Sequence, residues 1–273
     1  MIRYAELQAM SNFTFLEGAS HAEELVQTAA NLGISALSVA DRNSLAGIVR
    51  AHVAAKEAKI QLVVGAHLEL DVNICVLSYP KSRAAYGRLS RLITLGRRRS
   101  PKGECQLARA DLYEHGEGQV FVLLPPAAQA PDDGFTVTLR DFASRFPGDC
   151  YLAAHHLYRG DDARRIETLA NLAAACGVPL VATNDVRMHA PSRRALADVL
   201  TCIRGKCTIG TAGFRLAVNA ERHLKSPAEM ARLFRGHEDA LARTIEIAER
   251  CRFSLDELRY EYPDEIAGPG ESV

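Results

Sequence analysis

The chain has no tryptophan, and aromatic residues make up only 6% of its 273 positions. A base-stacking platform for single strands is therefore poorly supplied. No apolar run nears the roughly 20 residues that span a bilayer. The opening residues, MIRYAELQAMSNF, lack the apolar core of a secretory leader. None of the seven cysteines forms a CxxC pair; Cys202 and Cys207 come nearest, with no His or Cys cluster beside them. That is the pattern of reduced thiols in a cytosolic protein. Neither sign of charge dominates, with 33 basic and 33 acidic side chains. Contact with nucleic acid or a membrane would have to come from a local patch. Neither GxGxxG nor GxxxxGK[ST] is present to mark a nucleotide fold.

What the chain does have is strand–helix alternation. Ile34–Leu70 reads as strand, helix, strand: an apolar run to Ala40, a polar turn Asp41-Arg42-Asn43-Ser44, then Leu45, Ile48, Val49 and Val53 at helical spacing. Ser44 is placed to cap that helix, and Ile60–Val64 closes the unit before Gly65. Such a βαβ unit has parallel strands and a right-handed crossover. Upstream, Arg3–Gln8 reads as a strand, and Ser20 with Glu23 fits a capping box. Downstream, strands are expected at Val72–Ser78 (broken by Tyr79-Pro80), Val120–Leu124, Cys150–Ala154 and Val178–Ala182. Helices are expected at Arg83–Leu95, Leu139–Phe146, Asp161–Cys176, Arg193–Ile203, after Ser226-Pro227, and at Glu238–Arg250. A surface loop is expected at Pro125–Gly134. The alternation leaves a doubly wound sheet or a (β/α) barrel, and the missing nucleotide fingerprints favour the barrel, with helices appended from about residue 205. The polar, Gly- and Pro-containing tail 261–273 reads as a linker.

Function in parallel α/β folds collects at the carboxyl ends of strands. Asp41, His67 and Asp185 stand at such ends, and His155-His156 succeeds another. They could hold a divalent metal that generates hydroxide; equally, Asp41 and Asp185 could cap the helices or loops after them. Only one of His155 and His156 can face a site, because neighbours on a strand point to opposite faces. The run Arg97, Arg98, Arg99 and Lys102, with Arg88 and Arg91 before it, is either a phosphate contact or a solvated face.

Several passages together resemble a known family: YAELQAMSNFTFLEGASHAEELV, ALSVADRNSLAGIVRAH, VPLVATNDV, DVLTCIR and NAERHLKSPAEMARLF through RCRFSLDELRYEYP. They are similar to the N-terminal PHP (polymerase and histidinol phosphatase) domain of C-family bacterial DNA polymerases, and closest to the error-prone, damage-inducible branch. The resemblance implies an α/β fold, a distorted (β/α)7-type barrel over 1–205. It also implies a helical extension over 206–260 leading towards a polymerase palm. The parent enzyme would be a nucleotidyltransferase that copies damaged DNA in the cytoplasm, in translesion synthesis and repair. It would use Mg and work with a sliding clamp and other mutagenesis proteins, without a membrane.

Metal-binding members of that family open with a His-x-His pair, which here is Gln8 and Met10. The later acidic residue of the motif is Glu17. The Asp-His step is Asp41-Arg42, the expected glutamate is His67, and the Asn-Asp-x-His motif ends in Asp185-Val186-Arg187. Gln is a weak ligand and Met a poor one for such cations. Each arginine would repel a unit charge by about 4 kcal/mol at 4 Å and an effective dielectric near 20, and a divalent ion by about twice that. The expectation is a degenerate cleft filled by ion pairs, with no catalytic residue and no bound cofactor of its own, acting as a structural and interaction module. Two alternatives stand beside it. One is a phosphoesterase or 3′-5′ exonuclease holding weak Mn or Zn on Glu17, His67, Asp185 and a histidine from 155, 156 or 189. The other is a cleft in which Arg42 and Arg187 bind phosphate or a DNA end.

Overall fold

The computed structural model describes residues 2–71, 74–126 and 130–258. Three strands, β1 (Ala5–Ala9), β2 (Ala36–Val39) and β3 (Gln61–Val64), form a parallel sheet in the order β1-β2-β3. Between them lie the helices α1 (Ala22–Asn31) and α2 (Ile48–Ala58). β2, α2 and β3 make the expected βαβ unit.

The helix face within that unit is the expected one at Ile48 but not at Val49 and Val53. α2 buries Ile48, Ala51 and Ala55, while Val49 and Val53 are exposed. Ser44 does not cap α2 either; its hydroxyl accepts from the Ala46 amide in the preceding loop, and the N-cap is Gly47. At α1 the capping position is one residue later than expected. Glu24 accepts from the His21 amide at 2.8 Å, which frees Ser20 to bond His189.

A second sheet of five strands has the order β4-β5-β6-β7-β8: β4 (Ala66–Glu69), β5 (Cys75–Pro80), β6 (Gln119–Leu124), β7 (Cys150–His155) and β8 (Leu180–Thr183). β4, β5 and β6 pair antiparallel, and β6, β7 and β8 parallel. Only Gly65 separates β3 from β4, so the chain changes sheet there. Its ideal Cβ would lie 2.5 Å from the Tyr79 ring, so glycine permits that crossing. Tyr79 and Pro80 do not break β5 but complete it. The Tyr79 hydroxyl crosses the interior to donate to the Leu7 carbonyl at 2.6 Å. Val72 and Asn73, the start of the expected strand, lie outside the described residues.

Among the described residues the ladder does not run continuously round a barrel. The two sheets touch through isolated bridges, Ala9 with Val186 and Arg42 with His67. The first is tight: the Met10 amide donates to Val186 O at 2.9 Å and the Val186 amide to Gln8 O at 2.8 Å.

Alternation along the strands divides the core in two. Leu7, Leu77, Tyr79, Val122, Tyr151 and Val181 face an interior packed against Ile247 and Cys251. Leu37, Val76, Phe121, Leu123 and Leu152 face the surrounding helices. The remaining helices are α3 (Arg83–Arg98), α4 (Arg109–His115), α5 (Asp133–Arg145), α6 (Asp162–Ala175), α7 (Arg194–Arg204), α8 (Ile209–Ala212), α9 (Pro227–Leu233) and α10 (Glu238–Arg250). α3 runs three residues beyond expectation, so Arg97 and Arg98 are in its last turn. α5 starts at Asp133 because Asp132 caps it through the Phe135 amide, which shortens the expected 125–134 loop. The tail 261–273 lies outside the described residues. No helix among those described is long and apolar enough to cross a membrane.

Candidate functional site

The carboxyl ends of β1 and β8, the loop after β2 and the face of β4 converge on a cleft of about 550 Å³. Gln8, Met10, Glu17, Arg42, His67, His155, Asp185 and Arg187 all line it. Asp41 does not. It is buried behind the cleft and accepts from the Ser11 amide (2.8 Å), the Ser11 hydroxyl (2.8 Å) and the Thr14 hydroxyl (2.7 Å). Its role is to hold the 11–14 loop, and it caps no later element. Four residues beyond that loop's Thr14, Gly18 has no room for a side chain: a Cβ there would lie 1.9 Å from the Ser11 carbonyl oxygen. The Ala19 amide then donates to the Arg187 carbonyl at 2.7 Å. These contacts fix Glu17 against the chain segment after β8.

Glu17 is the hub of the charges. Its carboxylate meets Arg42, Arg187 at 3.4 Å and Arg204 at 2.5 Å. Asp185 is the second hub, with Arg222 at 3.0 Å and Arg187 at 3.8 Å, the latter an electrostatic contact rather than a hydrogen bond. Burial alone would raise the Asp185 carboxyl; Arg222 and Arg187 outweigh it and hold it down at about 2. Arg42 Nε also lies 3.3 Å from Glu69.

Gln8 is fully engaged. Its amide nitrogen donates to Asp185 at 3.2 Å, and its oxygen contacts His155 Nε2 (2.8 Å) and the Thr183 hydroxyl (2.9 Å). His156 faces away and packs edge-on against Tyr158, so one histidine of the pair reaches the cleft, as strand alternation requires. His189 is bound to Ser20 instead. Met10 adds a buried thioether.

His67 sits on β4 rather than at the end of β3. It is 7% exposed, and neither ring nitrogen has a hydrogen-bond partner. Burial, with Arg42 and Arg187 nearby, lowers it to about 4, so the ring is neutral at pH 7. His155 is lowered to about 4 chiefly by burial. Beneath the cleft, burial raises the Glu6 carboxyl to about 7 despite hydrogen bonds from the Gln8 amide and the Tyr4 hydroxyl.

The basic run lies elsewhere. Arg97 donates to the Asn43 carbonyl at 2.9 Å and Arg99 pairs with Asp111 at 2.9 Å, while Arg98 and Lys102 point into solvent. Sequence reasoning missed Arg204 and Arg222. Both lie in passages that carry the resemblance, but no strand-end position or family motif marks them. It also missed Glu69 and Cys75, whose place is set by the register of β4 and β5, which spacing does not reveal.

The PHP domain family matches residues 6–131. An error-prone DNA polymerase of Caulobacter vibrioides is 49% identical over 271 residues, covering 99% of this chain and 25% of the polymerase. Error-prone DNA polymerase 1 of Agrobacterium fabrum is 50% identical over 268 residues, covering 98% of this chain and 24% of that protein. This chain thus spans about a quarter of the length of these relatives.

Two solved structures share the fold at low identity. One is a candidate metal-dependent phosphoesterase from Bifidobacterium adolescentis (TM-score 0.53, 16% identical). The other is an amidohydrolase from Chromobacterium violaceum with bound sulfate and no metal (TM-score 0.54, 14% identical). In each case 68% of this chain and 88% of the other are covered.

Proposed function

Because the chain carries a PHP domain and matches the N-terminal region of error-prone DNA polymerases along nearly its whole length, we propose that it is the PHP portion of such a polymerase, one used in damage-induced translesion synthesis. Within that enzyme it acts as a brace and interaction module without hydrolytic activity. The two sheets, bridged at Ala9–Val186, are read as an opened (β/α)7-type barrel over 1–205, extended by helices over 206–260. The polymerase reaction, its Mg, its DNA, the sliding clamp and the cytoplasmic setting belong to the longer protein.

One observation carries this reading: guanidinium groups stand where cations would have to bind, and they are already paired with the carboxylates that would bind them. Arg42, Arg187 and Arg204 meet Glu17, while Arg187 and Arg222 meet Asp185. The remaining donors fit a multi-metal centre no better. The Gln8 amide is spent on three neighbours, and Met10 offers sulfur to ions that prefer oxygen and imidazole. No hydrolytic step is therefore derived through a metal at Glu17 and Asp185. The same pairing disfavours phosphate or DNA-end capture by Arg42 and Arg187, because an incoming anion would have to displace carboxylates that are already fixed.

The test is hydrolysis. Full-length protein with Mn is incubated with single-stranded DNA and with a chromogenic phosphodiester. No cleavage above a protein-free control is expected. Turnover that disappears in Asp185→Ala would overturn the reading.

A further inference from the structure

We propose that His67, Glu69 and Cys75 form a site for one zinc ion on the β4–β5 wall of the cleft. This ligand set shares His67 with the PHP motif positions but takes Glu69 and Cys75, which that motif does not name. It rests on the preceding reading only in leaving Asp185 and Glu17 to their arginines.

Register brings the three together. His67 and Glu69 are two apart on β4 and so share a face. Cys75 on β5 stands directly opposite Glu69, which puts it on that face too. One ligand atom from each lies within 4.8 Å of the other two. Tetrahedral zinc with bonds of about 2.0–2.3 Å places its ligand atoms about 3.3–3.8 Å apart, so closure needs a contraction of about 1 Å. Glu69 can supply that movement, because its side chain is 43% exposed at the cleft rim.

The second observation is independent of the spacing. A histidine buried to 7% exposure, with both ring nitrogens unpaired, carries a desolvation cost that nothing in the protein offsets. A metal on one nitrogen would satisfy that nitrogen and remove its part of the cost.

The donor chemistry selects the ion. One imidazole, one carboxylate and one thiolate suit zinc and disfavour magnesium or manganese. On binding, the Cys75 thiol gives its proton to solvent; thiolate and carboxylate then balance the two positive charges of the ion. Arg42 lies close, with its Nε 3.3 Å from Glu69, but its pairing with Glu17 lets it remain in place when Glu69 turns to the metal. The fourth position faces the cleft and is left to water.

The experiment uses full-length protein, reduced and then dialysed against zinc or cobalt. Metal content is read by mass spectrometry, and thiolate-to-cobalt charge transfer by near-ultraviolet absorbance. Cys75→Ser is expected to lose one zinc per chain and its share of the cobalt band, with an unchanged melting curve in chelator. Glu69→Gln, at the exposed rim, should lose the same zinc and serves if Cys75→Ser fails to fold. Equal zinc and an equal cobalt spectrum in wild type and both variants would overturn the proposal. If no protein holds zinc here, this proposal alone falls. If zinc survives Cys75→Ser but is lost in Asp185→Asn, the PHP ligand set is metallated and the reading of a disabled cleft falls as well.

Discussion

Glu17→Gln is expected to destabilise the folded chain by about 3 kcal/mol. Removing one partner of a buried ion pair costs about 3–5 kcal/mol, because the charge left behind has lost both water and counter-ion. Here one carboxylate, 9% exposed, serves three guanidiniums that are 29–42% exposed. Their partial access to solvent keeps the cost at the lower end of that range. Glutamine keeps the shape and a hydrogen-bonding oxygen but not the charge, so the loss reports electrostatics. Arg42→Gln removes only one of the three partners and should cost about 1 kcal/mol, as for a half-exposed pair. Urea unfolding at pH 7 measures both. A loss below 1 kcal/mol for Glu17→Gln would show that something else holds the arginines in the cleft.

Acid should expose the cleft histidines, and Glu6 should mask part of the effect. His67 and His155 titrate near 4 in the folded protein, against an ordinary value of 6.5. Between those values the unfolded chain binds more protons than the folded one, so stability falls as pH drops. Each residue accounts for about 3 kcal/mol over that window. Glu6 runs the other way. Its folded value of about 7 lies above the ordinary 4.5, so the folded state binds the extra proton, and the stability Glu6 contributes is present below 4.5 and lost as pH rises through 7. Acidification therefore returns about 3 kcal/mol, and the net loss from pH 7 to 4 is about 3 kcal/mol. His67→Gln should flatten the profile, and Glu6→Gln should roughly double its slope. Denaturation midpoints across pH 4–7.5, taken in chelator, check this. A steep decline that persists in His67→Gln would contradict it.

The fold was largely legible because strands buried on both faces leave continuous apolar runs, and because glycine and polar turns separate them. The runs at Ile34, Val120, Cys150 and Val178 each became a strand within two residues of expectation. Failures occurred where a local signal had two physical uses. Val49 and Val53 match a helical stripe, yet small residues pack α2 closely, so Ala51 and Ala55 are buried instead. Ser20 matches a capping residue, yet its hydroxyl is used by His189. Tyr79-Pro80 reads as a breaker, yet Pro80 ends a strand whose Tyr79 reaches across the interior.

For the cleft, the strand-end rule found Asp185 and His155, and the resemblance added Gln8, Met10, Glu17, Arg42 and Arg187. The rule misplaced Asp41, because strand ends indicate position and not which way a side chain turns. Arg204 and Arg222 come from the region after β8, brought in by tertiary packing that spacing cannot encode.

Manganese content tests the central claim most directly. Full-length protein is equilibrated with excess Mn, dialysed, and its metal counted by mass spectrometry. Cleft carboxylates already neutralised by arginine should retain essentially none. One or more Mn per chain, lost in Asp185→Asn, would show that the cleft is a working metal centre and contradict the reading.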